Sequence, residues 1–142
     1  MILNYSTKIE PEQTIGEIQK MLTKHGVTAM MTEYEGPRVS AVSFQIKIND
    51  KPMAFKLPCN WRAVLEILKA EKIPTTLKTN DQAARVAWRI IHTWVRGQLA
   101  LVEVNMVTVP QVFLPYMKVS KDRTLYEEMD ANPGKFLLGD GN

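Results

Sequence analysis

The sequence predicts an α+β fold: a three-stranded antiparallel meander packed against a long central helix and shorter helices, in the order α-β-β-β-α-α-α. Three observations set this expectation. Apolar residues first recur at helical spacing, at Ile15, Ile18 and Leu22. They then alternate with polar ones through Val42, Phe44, Ile46 and Ile48, and again through Met53, Phe55 and Leu57. Helical spacing finally returns and holds from about Asp81 to Asn105, a span of roughly 37 Å at the α-helical rise of 1.5 Å per residue.

A first helix is expected over about Ile15–His25. Thr14-Ile15-Gly16-Glu17 has the form of a capping box, in which hydroxyl and carboxylate satisfy orphan amide hydrogens. Gly26 suits the left-handed residue past a helix end, and Lys20, Lys24 and His25 lie near the negative end of the dipole. Val27–Tyr34 reads as the first strand, turning through Glu35-Gly36-Pro37-Arg38, and Asn49-Asp50-Lys51 joins the two alternating strands as a hairpin. Pro58 ends the third strand, Asn60 caps a second helix carrying Trp61, Val64, Leu65 and Leu68, and Pro74 stops it.

Thr79-Asn80-Asp81-Gln82 opens the long helix. Its apolar face, Ala84, Ala87, Trp88, Ile91, Trp94, Val95 and Val102, is wide enough to be contacted on more than one side. Thr108 caps a brief helix that Pro115 ends, and Thr124-Leu125-Tyr126-Glu127 is a further capping box before Asn132-Pro133-Gly134. Phe136-Leu137-Leu138 is expected to fold back as a clip on the core, and Gly139-Asp140-Gly141-Asn142 to form a free tail.

The 142 residues suit one domain, 1–142, and 45% hydrophobic with 23% charged residues is ordinary for a packed chain. Cys59 is the only cysteine, so no internal disulfide is possible and a reducing compartment is expected. The start, Met1-Ile2-Leu3-Asn4-Tyr5, lacks the basic and apolar regions of a secretory signal. The apolar run Leu99–Val102 is too short to span a bilayer, so no membrane association is expected and the chain is placed in the cytoplasm. Net charge is +3, but its distribution is uneven. From Gly36 to Arg96 there are 11 Lys and Arg against 4 Asp and Glu, whereas the flanks hold 7 against 11. Such a basic middle implies a positive patch if the fold gathers those charges on one side.

No catalytic constellation stands out, and the chain is read as non-enzymatic. There is neither a Gly-x-Gly-x-x-Gly nor a Gly-x-x-x-x-Gly-Lys-Ser/Thr loop to cradle phosphates, and no cofactor is expected. His25 and His92 fall on different helices and Cys59 has no paired ligand spacing, so a zinc site lacks its donors. Cys59 follows Pro58 at a strand-to-helix turn, where a helix N-terminus lowers a thiol pKa, but a small structural residue is the simpler reading. Glu127, Glu128 and Asp130 begin a short helix, where acidic residues are electrostatically favoured without any metal.

The long helix is more informative. Arg85, Arg89 and Arg96 fall on one stripe, with His92 between them. Guanidinium groups at this spacing suit a phosphate backbone, and Trp88 and Trp94 are near enough for base stacking. The competing reading makes the tryptophans core residues and the arginines the solvated side of an amphipathic helix. Lys47 and Lys56, on the outward face of the sheet, are expected to extend the basic surface.

The order helix, three strands, helix, with Gly36-Pro37 ahead of the alternating strand, resembles the double-stranded RNA-binding domain. That family starts its last helix with a Lys-Lys-x-Ala-Lys cluster; this chain has Asn60-Trp61-Arg62-Ala63, with one basic residue. A second resemblance covers almost the whole chain. Asn4-Tyr5, Thr14-Ile15-Gly16-Glu17-Ile18-Gln19, Phe55-Lys56-Leu57-Pro58, Gln82-Ala83-Ala84-Arg85-Val86-Ala87-Trp88-Arg89-Ile90 and Val112-Phe113-Leu114-Pro115-Tyr116-Met117 look like small uncharacterised proteins of tailed phages and prophages. The resemblance implies a phage accessory protein made in a bacterial cytoplasm and assigns no functional residue.

Two functions follow as expectations. One is an accessory protein that binds DNA or RNA through Arg85, Arg89, Arg96, Lys47 and Lys56. The other is a protein-binding module that inhibits or redirects a host protein through an exposed patch at Val112, Phe113, Leu114, Tyr116 and Met117. A homodimer through the long helix is compatible with both.

Overall fold

A computed structural model describes residues 1–138, so the expected free tail at 139–142 lies outside the described residues. Helix α1 spans Pro11–Thr23, strands β1, β2 and β3 span Val27–Glu35, Arg38–Ile48 and Lys51–Pro58, and helices α2 and α3 span Trp61–Ala70 and Asn80–Glu103. Two short helices, α4 at Val109–Phe113 and α5 at Leu125–Ala131, follow. The strands form one antiparallel sheet in the order β1-β2-β3. This is the predicted α+β meander.

Helix α1 begins a turn earlier than its expected capping box. Pro11 occupies its first turn after an extended Glu10; proline's fixed φ suits that position, and its missing N–H is one the helix could not use. Thr14 is thereby carried inside the helix, fully buried, and Glu17 is released from capping to face α3. The other expected caps form. Asn60 accepts from the Ala63 amide at 3.2 Å, Thr79 accepts from Gln82 at 3.1 Å, and Thr108 and Thr124 each make a complete capping box. Past α1, Gly26 takes φ +91°. Between β2 and β3, Asn49 and Asp50 have φ +52° and +63°, the two left-handed residues of a type I′ hairpin turn, which Asn and Asp tolerate better than other side chains.

Register sorts the sheet into two faces. Met30, Phe44 and Phe55 lie side by side across the strands, as do Thr32, Val42 and Leu57, and their side of the sheet packs against the helices. Phe44 and Phe55 stack at 5.3 Å, Phe113 from α4 meets Phe44 edge-on at 5.3 Å, and Trp94 of α3 meets Phe113 at 5.4 Å. Helix α3 packs against α1 and α2, as its broad apolar face requires. Buried Gln82 also binds the N-terminal segment, donating to the carbonyls of Tyr5 and Thr7 at 2.9 Å each. On the opposite side of the sheet lie the rows Met31, Ser43, Lys56 and Ala29, Gln45, Ala54.

The C-terminal segment closes one edge of the sheet. Met117 bridges Phe55, and the Lys118 amide donates to the Ala54 carbonyl at 2.8 Å. Strand β1 forms the other edge, and its pairing with β2 slips in register near Val27 and again between Glu33 and Tyr34.

Two expectations about the C-terminal part are overturned. Phe113, expected in an exposed protein-binding patch, is fully buried among Phe44, Phe55 and Trp94, and Val112, Tyr116 and Met117 pack against that core with only Leu114 exposed. The expected Phe136-Leu137-Leu138 clip does not form. All three are exposed, and the core between the sheet and α3 is closed instead by Phe113, packed against Phe44 and Trp94.

Candidate nucleic-acid interface

The arginine stripe of α3 faces α1 as much as solvent. Arg85 Nε donates to Glu10 Oε1 at 2.9 Å, and Arg85 also reaches Gln82 Oε1 at 3.2 Å. Arg89 donates to both Glu17 oxygens at 3.3 Å and to Thr14 Oγ1 at 3.4 Å, with only 17% of its side chain exposed. His92, buried between them, has Nε2 3.1 Å from Glu17 Oε1. Burial pushes the His92 pKa down, reinforced by the Arg89 charge, against the opposing pull of Glu17. Burial alone would raise Glu17, but the hydrogen bond and charge of Arg89, with His92 and Gln13, hold it below the usual carboxylate range. Arg96 is exposed and lies beside Lys24 and His25 at the end of α1. Trp88 is in the core, and Trp94 is edge-on to Phe113 and Tyr116. Neither offers a free face on the arginine side.

Charge pairing across the fold explains the uneven charge of the sequence. Acids of the flanking segments meet cations of the basic middle: Glu10 with Arg85, Glu17 with Arg89, Glu33 with Lys56 at 3.1 Å, and Glu35 with Arg62. Arg38 pairs within the middle, with Asp81, and its guanidinium lies over the Trp61 ring at 5.1 Å while that of Arg62 lies at 4.6 Å. These four pairs to the flanks offset four of the seven surplus positive charges of the middle segment.

Lys47 and Lys56 project from the outer face of the sheet, away from the helices that hold Arg85, Arg89 and Arg96. The five expected residues therefore do not form one surface. Instead, the bridge between Met117 and Phe55 brings Lys118, Lys121 and Arg123 up to Lys56 around a polar depression that also holds Glu33, Asp122 and Glu127. Among the described residues Lys47, Lys118 and Lys121 make no ion pair, whereas Arg123 reaches Glu128 at 3.0 Å. Glu127 is held below its usual range by hydrogen bonds at Thr124, with Lys56 and Arg123 adding to the effect. Sequence periodicity carries no signal for Lys118 and Lys121, because a long-range contact places them.

No protein-family model, curated protein or solved structure matches this chain. What the site can do follows from its own geometry.

The remaining chemistry is limited. Burial pushes the Cys59 thiol up to about 12, so it stays protonated at neutral pH and fills core space beside Trp61, as the structural reading expects. Among the described residues no three His, Cys, Asp or Glu side chains are grouped to hold a metal ion. No helix among them is long and apolar enough to cross a membrane. A second, apolar surface exists where β3 meets α3: a groove of about 260 Å³ lined by Leu57, Pro58, Ile90, Ile91, Trp94 and Tyr116.

Proposed function

We propose that this chain is a non-enzymatic accessory protein, of the phage kind its sequence resembles, that binds nucleic acid through the outer face of its sheet. One observation carries the reading. Lys118 and Lys121, free of ion pairs among the described residues, gather with Lys56 on the side of the sheet turned away from the helix layer, and Lys47, likewise unpaired, stands on the same face further along β2. Lysines there attract a phosphate backbone, and neutralising phosphates releases condensed counterions. Arg85 and Arg89 serve the α1–α3 contact, and Arg96 adds positive charge at a separate place.

Fluorescence anisotropy with labelled single-stranded DNA, duplex DNA and duplex RNA tests this. Phosphate contacts predict a loss of at least about tenfold in affinity between roughly 50 and 200 mM salt. Absence of binding to all three retires the reading.

A protein-binding module acting on a host protein is the second reading, and it moves from the Phe113 patch to the groove of Leu57, Ile90 and Trp94. It predicts a partner that stays bound after nuclease treatment and dissociates on Ile90→Lys.

A further inference from the structure

The outer face carries more than charge. Between β1 and the Lys118 segment it is recessed into a groove of about 220 Å³, lined by Ala29, Met31, Ser43, Gln45, Ala54 and Lys118. The recess exists because Ala29, Ser43 and Ala54 are short, while Met31, 56% exposed, stands up beside them. Ser43 is 8% exposed, and its Oγ is shielded from water with no hydrogen-bond partner among the described residues. A hydroxyl left so is costly unless something completes it. The Gln45 carboxamide, on the same row as Ala29 and Ala54, also makes no side-chain hydrogen bond among the described residues.

We propose that this groove seats an unpaired nucleobase, so that the ligand is single-stranded; the inference rests on the nucleic-acid reading above. A planar base suits the combination found here. Its face lies against the Met31 thioether, a polarizable group that favours aromatic contact. Its edge meets the Gln45 amide, which both donates and accepts, with the Ser43 hydroxyl beneath it in the floor of the groove. Lys118 in the wall and Lys47 along β2 are placed for the flanking phosphates, supplying the charge complementarity that an apolar peptide side chain would not need. In a duplex both faces of the base are covered by stacking and none is free to lie against Met31, whereas splayed bases of single strands seat in pockets.

The test uses the full chain and three labelled ligands of equal length: a single-stranded DNA, the same strand with abasic sites throughout, and the duplex. With the Met31 contact and the polar edge together holding the base, the base-bearing strand is expected to bind at least about fivefold more tightly than the abasic one. Ala54→Met, which fills the groove and keeps every lysine, should reduce the base-bearing strand to the abasic level while leaving the salt dependence unchanged. Ala29→Met, on the edge strand, gives the same readout if the first variant does not fold. Equal affinity for base-bearing and abasic strands overturns the base seat and leaves phosphate binding standing, and a preference for duplex overturns it likewise. Absence of binding to all three ligands overturns both the seat and the reading beneath it.

Discussion

Arg89 on α3 holds Glu17 on α1, its guanidinium 3.3 Å from both carboxylate oxygens, across a separation of 72 residues. The contact ties two helices whose apolar faces alone would leave their relative sliding poorly fixed. Arg89→Ala should lower stability by about 1–2 kcal/mol, the range for a partly buried charged hydrogen bond rather than a fully buried ion pair. Urea denaturation measures this. If Arg89 acts only here, the variant binds nucleic acid as the parent does.

His92 makes the same contact pH-sensitive. Its folded pKa is lowered by burial and by Arg89, so below the ordinary histidine value the unfolded chain takes up a proton that the folded chain resists. That stability is fully present above the unfolded pKa and disappears as pH falls through the ordinary value toward the folded one. Glu17, also lowered, contributes above the unfolded carboxylate pKa and loses that contribution at more acid pH, through its folded value. Melting temperature should therefore fall in two stages on acidification, and His92→Gln should flatten the first stage and weaken the second only slightly, because Arg89 rather than His92 is the main group lowering Glu17.

The lysines of the outer face should behave differently. Reversing Lys47, Lys118 and Lys121 together to Glu is expected to abolish nucleic-acid binding with little change in melting temperature, since none of the three makes an ion pair among the described residues. Neutralising them one at a time to Gln should make the salt slope shallower by about one unit for each phosphate no longer neutralised. Charge reversal at Arg85 and Arg89 that abolished binding in a folded protein would return the site to the long helix.

Phe113 offers a check on the core. Fully buried against Phe44, Phe55 and Trp94, it should cost about 3–5 kcal/mol on replacement by Ala. A partner-binding residue on an exposed patch would instead leave stability intact.

Sequence signals are legible in this chain where they decide the structure locally. The alternation from Val42 to Leu57, the Asn49-Asp50 turn and the threonine caps at Thr79, Thr108 and Thr124 each depend on neighbours a few residues away. Thr14-Glu17 misleads because Pro11, an equally local signal, starts the helix earlier and so converts a cap into an interhelical contact. The candidate site is less legible. That Arg85 and Arg89 stand on one stripe is visible in periodicity, but that α1 brings Glu10 and Glu17 against that stripe is a property of packing. Lys118 and Lys121 join Lys56 through the pairing of Met117 and Lys118 with Phe55 and Ala54, a long-range contact that the periodicity around them does not announce.

Strand β1, the edge with no strand beyond it, is interrupted near both ends by slips in its pairing with β2. An uninterrupted edge of this length would be a template on which a neighbouring molecule could lay a strand, and that molecule another. The two slips twist the ends of the edge out of line, and Glu33 and Glu35 set charged side chains along it. The sheet is thereby kept finite: its outer face stays open to a ligand while its margin resists growth into a fibre.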